Sequence, residues 1–220
     1  MNGTFEDYKL ENIVYRKISE QVWLAPYDAE RLFKYGKQDA FFLNEGVNDD
    51  DAQKYLEGIS ITFDYLKERV LCVESGSCIT YLITVRGFPM GMFFLYPPMT
   101  NKMQRNRPIW TIEYFVVNKF RGKGIMTSCF PAFMKLMAKD IGIDEVYAWV
   151  HDDNVTSIGI LEKFFFRKVD TLPVYDNRLR NVTMPHYLAL KCPLCDINFY
   201  DTYIDCPQDW IDKPTLVYNP

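Results

Sequence analysis

Apolar positions recur along this chain in two rhythms, and the points where one rhythm gives way to the other predict its elements. Val22-Trp23-Leu24 is strand-like, and Tyr27-Asp28-Ala29-Glu30-Arg31-Leu32-Phe33 turns to helical spacing, with Asp28 placed to cap the helix. Residues 36–46 interrupt the pattern and are expected to form a loop or a partly helical connection. From Asn48 the acidic run Asp49-Asp50-Asp51 opens a helix carrying Ala52, Tyr55, Leu56, Ile59, Phe63, Leu66 and Val70 at helical spacing. Acidic residues suit the positive end of a helix, which accounts for the run without a metal ion.

The period then shortens. Residues 78–85 and 90–96 are β-rich runs on either side of Arg86-Gly87-Phe88-Pro89 and predict a hairpin. A polar loop over 97–107 leads to a third strand at 109–117. The helix after it presents Ile125, Met126, Cys129, Phe130, Phe133, Met134 and Met137 along one face, a core stripe. Residues 145–150 form the next strand, Asp152, Asp153 and Asn154 are competent caps for a helix through Phe164, and residues 184–191 form a closing strand. Antiparallel runs interleaved with helices predict an α+β fold, a mixed and mostly antiparallel central sheet with flanking helices.

Composition narrows the class. The chain has 220 residues, enough for one ordinary core, and 48% are hydrophobic. A net charge of −4 argues against general nucleic-acid binding. No apolar run approaches the roughly 20 residues of a membrane span. The start, Met1-Asn2-Gly3-Thr4-Phe5-Glu6-Asp7, has neither the basic nor the apolar region of a signal peptide. Six cysteines scattered among apolar neighbours fit reduced thiols in the cytoplasm.

The stretch with most chemistry in it is Val116-Val117-Asn118-Lys119-Phe120-Arg121-Gly122-Lys123-Gly124-Ile125-Met126. It is an apolar strand ending in a basic, glycine-punctuated turn that runs straight into a helix. The first N–H groups of such a helix are unpaired and lie at the positive end of its dipole, so an anion, most often a phosphate, is the natural partner. Gly122 and Gly124 let a bulky ligand reach the backbone, and Arg121 and Lys123 add positive charge.

At Arg121-x-x-Gly124-x-Met126 the chain resembles the pyrophosphate-binding signature of the GNAT acetyltransferase superfamily, with Met126 where that signature has Gly or Ala. Downstream, Asn154-Val155-Thr156-Ser157 and Leu161-Glu162-Lys163-Phe164-Phe165-Phe166 resemble the second block of the RimJ/RimL-like branch that acetylates protein N-termini, with Phe165 where the family has Gly. The resemblance covers about residues 107–170 firmly and extends back toward residue 20. It implies a sheet split in a V between strands 109–117 and 145–150, with acetyl-CoA in the opening.

The resemblance also implies roles. The backbone of Arg121, Gly122, Lys123, Gly124, Ile125 and Met126 would hold the diphosphate, and a backbone N–H of Val116 or Val117 would polarise the thioester carbonyl. Asn154 would bind the pantetheine arm, or only cap its helix, and Ser157 would protonate or sit near the leaving sulfur. Leu161 stands where many relatives keep an acidic tyrosine. Two residues suit the general base. Glu113, among Trp110, Ile112, Tyr114 and Phe115, is expected to be partly desolvated, and His151 follows the fifth strand at the mouth of the cleft, an imidazole being a side chain suited to proton transfer. His186 reads as structural. Cys192-Pro193-Leu194-Cys195 with Cys206 and His186 is only half a zinc motif, and no metal is expected.

Residues 1–191 are therefore expected to form one acetyltransferase domain, with 192–220 an extension packed on it or free for a partner. The implied function is acetyl-CoA-dependent acetylation of a primary amine, a peptide N-terminus or a small molecule, by direct transfer in the cytoplasm. Acetyl-CoA and the amine are the expected partners, with no nucleic acid or membrane, and a homodimer is possible. A rival reading, an inactive acyl-CoA-binding or interaction module, draws on Met126, Phe165 and Leu161.

Overall fold

The computed structural model describes residues 16–17, 22–48, 50–56, 59–85, 88–98, 110–169 and 187–193. Eight strands form one sheet: β1 Arg16–Lys17, β2 Val22–Pro26, β3 Ile79–Val85, β4 Phe88–Tyr96, β5 Trp110–Val116, β6 Glu145–His151, β7 Arg167–Lys168 and β8 Tyr187–Pro193. Their spatial order is β1-β2-β3-β4-β5-β6-β8-β7, and every neighbouring pair is antiparallel except β5 and β6. The helices are α1 Ala29–Val47, α2 Asp50–Tyr55, α3 Phe63–Glu74, α4 Ile125–Lys135 and α5 Val155–Lys163. A 3₁₀ turn, Asn118–Phe120, precedes α4, and a π-helical turn, Leu136–Ile141, continues it.

The central strands are apolar at nearly every position because both sheet faces are covered. On β4, Phe93 and Leu95 face α4 and α5, while Met92 and Phe94 face α1 and α3. β5 divides in the same way, with Trp110, Ile112 and Val116 toward α4 and Phe115 and Val117 toward α1. The α4/α5 layer is aromatic: Phe93 stacks on Phe133 with centroids 4.2 Å apart, and Phe130 stacks on Phe164 at 4.8 Å. The α1/α3 layer is built from Leu43, Val47, Leu66 and Val70, and holds a buried ion pair, Arg31 Nη2 to Asp39 Oδ1 at 2.7 Å.

Three expectations change. Residues 36–46 are helical, not a loop: α1 runs unbroken through both glycines because it needs close approach there. A Cβ on Gly46 would stand 2.1 Å from the Val117 Cβ, so the glycine lets α1 lie directly on the end of β5. The single helix expected from Asn48 is two helices, since Thr62 starts a new one by accepting the Tyr65 N–H at 3.0 Å. The closing strand is described over Tyr187–Pro193, two residues past its expected end at 191, while residues 184–186 lie outside the described residues, and the two-residue edge strands β1 and β7 have too little pattern to be seen in the sequence.

Candidate active site

Parallel pairing of β5 with β6 is confined to Trp110↔Val146, Thr111↔Tyr147 and Ile112↔Ala148. Beyond Ile112 and Ala148 the strands pair with each other no further, although β5 continues to Val116 and β6 to His151. The sheet therefore opens as a V between them. β5 keeps its ladder with β4 up to Gly91↔Val116, and the Val117 N–H donates to the Met90 carbonyl at 2.9 Å. In an antiparallel ladder the backbone groups of successive residues point to opposite neighbours. Val117, Phe115 and Glu113 thus bond toward β4, while the N–H and carbonyl of Val116 and Tyr114 point into the opening. Of the two residues considered for an oxyanion donor, Val117 has its N–H committed to β4 and Val116 has its N–H in the V.

The wide end of the V meets the glycine turn. Gly122 and Gly124 both adopt left-handed φ, +70° and +77°, which requires glycine for reasons of backbone strain. A Cβ on Gly122 would meet nothing within 4 Å, so that position lies open. Gly124 is the N-cap of α4 and provides no side-chain hydrogen bond; the first helical bond there is from the Ser128 N–H to the Gly124 carbonyl at 2.9 Å. The N–H groups of residues 122–126 are thus available to an anion, whereas that of Arg121, also expected as a donor, is given to the Asn118 carbonyl at 3.1 Å. Arg121 folds back, its Nε donating to the Val116 carbonyl at 3.1 Å, which ties the turn to the strand end. The Met126 side chain is buried in the α4 core, so its bulk points away from the turn's open side. Ile125 is buried beside it, while Lys123 lies over the Phe120 ring at 5.2 Å.

Asn154 caps α5, its Oδ1 accepting the Ser157 N–H at 3.1 Å. Ser157 is half-buried, and its carbonyl accepts from the Tyr114 hydroxyl at 3.4 Å, joining the first turn of α5 to β5. Burial pushes the Tyr114 hydroxyl well above its ordinary pKa, so it remains a donor. Asn154 and Ser157 belong with α4 on one face of the sheet.

Glu113 belongs to the other face. It is the first β5 residue past the last β5–β6 pair, and it is exposed where its apolar neighbours in sequence suggested partial desolvation. Its Oε2 accepts a hydrogen bond from the Tyr96 hydroxyl at 3.0 Å. Burial, reinforced by the Glu113 charge, holds the Tyr96 hydroxyl far above the ordinary phenol range and keeps it protonated. His151, half-buried at the end of β6, faces the same side by strand alternation, and its ring lies 5.7 Å from that of Tyr55 on α2. Lys54 on α2 makes an ion pair with Asp153, so α2 is tied across to the β6–α5 turn next to His151. The site residues are thus sorted by face: the turn, Asn154 and Ser157 on one, Glu113 and His151 on the other, with Val116 between.

Sequence reasoning missed Tyr96, Tyr65 and Arg69, which line the Glu113 side. Each looked like an ordinary strand or helix residue, because what assembles them is the packing of α3 over the β4–β5 pair. The signal that was present, Tyr65, Arg69 and Cys72 recurring at helical spacing, says only that they share a helix face. Cys192, read as part of a Cys-x-x-Cys, is a buried core thiol whose Sγ lies 3.4 Å from the Phe164 carbonyl, with burial pushing it up to about 12. His186, Cys195 and Cys206 lie outside the described residues, as do residues 1–7 and most of 192–220.

Residues 22–167 match the family model of an acetyltransferase (GNAT) domain. Over 64 residues the chain is 38% identical to an N-alpha-acetyltransferase of Saccharolobus solfataricus, a match covering 29% of this chain and 38% of that relative's length. Among solved structures, RimL, a ribosomal L7/L12 alpha-N-protein acetyltransferase, superposes with a TM-score of 0.61 at 18% identity, covering 81% of this chain and 93% of that one. The microcin C7 self-immunity acetyltransferase, in complex with acetyl-CoA and AMP, gives a TM-score of 0.58 at 15% identity over 80% and 94% of the two chains. At these identities the structural likeness is one of fold.

Proposed function

This chain belongs to the GNAT acetyltransferase family, and from that premise we propose that it moves an acetyl group from acetyl-CoA to a primary amine by direct transfer. The observation that carries the proposal is the V between β5 and β6, which has the Val116 N–H within it and the capless N-terminus of α4 at its wide end. In this reading the N–H groups of residues 122–126 bind the diphosphate, with the Arg121 and Lys123 side chains adding charge. Asn154 lies beside the pantetheine arm while capping α5. The Val116 N–H donates to the thioester oxygen as negative charge develops on it.

The amine approaches from the opposite face. Glu113 takes its proton, directly or through water, and the nitrogen lone pair attacks the acetyl carbon. The C–S bond then breaks, the nitrogen gives up its extra proton, and the thiolate is protonated through the Ser157 hydroxyl, which passes its proton to sulfur as it takes up the one released from nitrogen. His151 stands beside the amine's path as a second proton acceptor. Donor and acceptor groups on opposite faces of the sheet let both substrates be held at once, which favours a ternary complex over an acetyl-enzyme. The acceptor we favour is a peptide N-terminus, on the strength of the second-block pattern and the N-alpha-acetyltransferase relative. We place the enzyme in the cytoplasm. Among the described residues no helix is long and apolar enough to cross a membrane, and Cys72 and Cys78 are free thiols.

Calorimetric titration with acetyl-CoA tests the donor site. Saturable binding by the native chain is expected, and its loss in Gly124→Glu, with an unchanged circular dichroism spectrum, ties it to the turn. Thiol release in the presence of peptide amines then tests transfer. No binding by the native chain sinks the proposal, and binding without turnover of any amine leaves the non-catalytic reading standing.

A further inference from the structure

Arg69 is the charge on the acceptor side that the reaction does not use. It lies on α3 with Tyr65 four residues before it and Cys72 three after, on the helix side that packs toward β4 and β5. Its guanidinium carbon sits over the Tyr65 ring, 5.0 Å from the centroid. The side chain is half-buried, and its Nε is fully buried with no hydrogen-bond partner. Among the described residues it makes no ion pair. Arg31, the other half-buried arginine of this layer, makes a bidentate pair with Asp39 at 2.7 and 2.8 Å. Half-buried guanidinium groups are ordinarily satisfied in that way, since an unmatched buried donor is costly.

The neighbours of Arg69 identify what would complete it. Tyr96 lies within its electrostatic reach, and Tyr96 donates to Glu113 at 3.0 Å. The Tyr65 hydroxyl, pushed up to about 12 by burial, is a further proton donor beside it. The cluster therefore has one acceptor of protons, the Glu113 carboxylate, next to a set of donors with an unpaired positive charge. Glu113 suits an ammonium group. Arg69 and Tyr65 suit an anion a short distance away, since the one proton of Tyr96 is given to Glu113, and the planar fork of an arginine matches a carboxylate best.

We propose that Arg69 is the specificity-determining residue of the acceptor site, receiving a carboxylate that the acceptor carries close to its reactive amine. The inference rests on the acetyltransferase reading and narrows its substrate class to acidic amines. Two sources share this chemistry: a peptide beginning with aspartate or glutamate, and a free amino acid presenting its own α-carboxylate. The test compares kcat/KM for hexapeptides differing only in Glu against Gln, or Asp against Asn, at the first residue, with free glutamate and its α-amide as the second arm. Acetylation of the acidic acceptor is expected to exceed that of its amide by roughly 10- to 100-fold, as for other hydrogen bonds to charged groups.

In Arg69→Met the acid-to-amide ratio should fall toward one, Arg69→Lys should retain part of it, and Arg69→Glu should favour an N-terminal lysine peptide instead. Retained acetyl-CoA affinity in each variant shows that it is folded. Equal rates for acid and amide in the native enzyme, or a ratio unchanged in Arg69→Met, overturn the inference while leaving the acetyltransferase reading intact. Should no amine turn over at all, that reading fails, and calorimetric binding of the Glu and Gln peptides to the CoA-loaded protein still decides on Arg69. Tighter binding of the Glu peptide that depends on Arg69 supports it, and its absence overturns it.

Discussion

The two faces of the sheet are built on opposite plans. Toward α4 and α5 the layer is a continuous aromatic stack, and the groups assigned to the donor are mostly backbone: the N–H groups of a turn, one N–H at a strand end, and a cap. Toward α1 and α3 the layer is thinner in aromatics and contains charge, and the groups assigned to the acceptor are side chains from β4, β5, β6 and α3. A ligand common to a whole family can be held by backbone, because backbone geometry survives changes of sequence. A ligand that differs between relatives has to be read by side chains. The contrast is open to experiment on each face.

The largest effect is expected in the aromatic layer. Phe130 is buried against Phe93, Tyr114, Phe164 and Phe166, so it joins β4, β5, α4 and α5. Phe130→Ala should cost about 3–5 kcal/mol of unfolding free energy by denaturant titration. A cost below about 1 kcal/mol would show that the stack is not what holds the donor face together.

The next effect is expected at high pH. Cys78, in the α1/α3 layer, has its thiol raised from 9.0 to about 11 by burial. In the unfolded chain it ionises at its ordinary value, so between about pH 9 and 11 the unfolded state binds fewer protons than the folded one. The slope of stability against pH is then negative, and the contribution that is complete below pH 9 is lost as pH rises to the folded value. The loss is about 2–3 kcal/mol from this group. Cys78→Ala should flatten that part of the profile relative to the native protein, measured by urea midpoints from pH 8 to 11. An unchanged slope would mean that the thiol is not buried in solution.

Legibility in the sequence followed the same division. The strand–turn–helix at 109–126 was visible because a run of β-formers, two glycines and an apolar stripe at helical spacing each dictate local backbone. The cap at Asn154 was visible for the same reason. Residues 36–46 read as a loop or a partly helical connection, since glycine lowers local helix propensity, and what preserves the full helix is the contact of Gly46 with Val117, 71 positions later in the chain. Arg69 and Tyr65 carried only the signal of a shared helix face and Tyr96 none, because nothing local to them records that α3 brings its residues near Tyr96 and Glu113. Backbone sites are written in short segments, and side-chain clusters only in the fold.

Gly46 links the two faces, which makes it the sharpest probe of their coupling. α1 belongs to the acceptor layer, yet it rests on Val117, next to the residue that leads into the donor turn. Gly46→Ala puts a methyl group where the Val117 side chain already lies, so either α1 or the strand end must shift. The expected cost is about 1–3 kcal/mol of stability. Weaker acetyl-CoA binding is expected as well, although the substituted residue is on the opposite side of the sheet from the turn. Lost stability with unchanged acetyl-CoA affinity would show that the two faces respond independently.

The smallest effect is a gain. α5 ends in a Schellman arrangement, with the Phe166 N–H on the Leu161 carbonyl at 3.0 Å and the Phe165 N–H on the Glu162 carbonyl at 3.1 Å. That arrangement needs a left-handed residue at position 165, and Phe165 has φ +66°. The second-block pattern that residues 161–166 resemble has glycine at this place, as its conformational freedom explains. Here a phenylalanine accepts the strain, about 1–2 kcal/mol for an L-residue, while its ring remains 43% exposed. Its neighbours Leu161 and Phe166 are in the core and hold the turn in place whatever occupies the position between them. Phe165→Gly removes the strain but gives the unfolded chain more freedom, which offsets roughly 0.5–1 kcal/mol of the gain. The net expectation is a stabilisation of about 0.5–1 kcal/mol, read as a small rise in Tm, whereas Phe165→Ala, still an L-residue at positive φ, should give none. A loss of stability in the glycine variant would mean that contacts of the Phe165 ring outweigh its backbone strain, and that the departure from glycine is itself a packing feature of the α5 side.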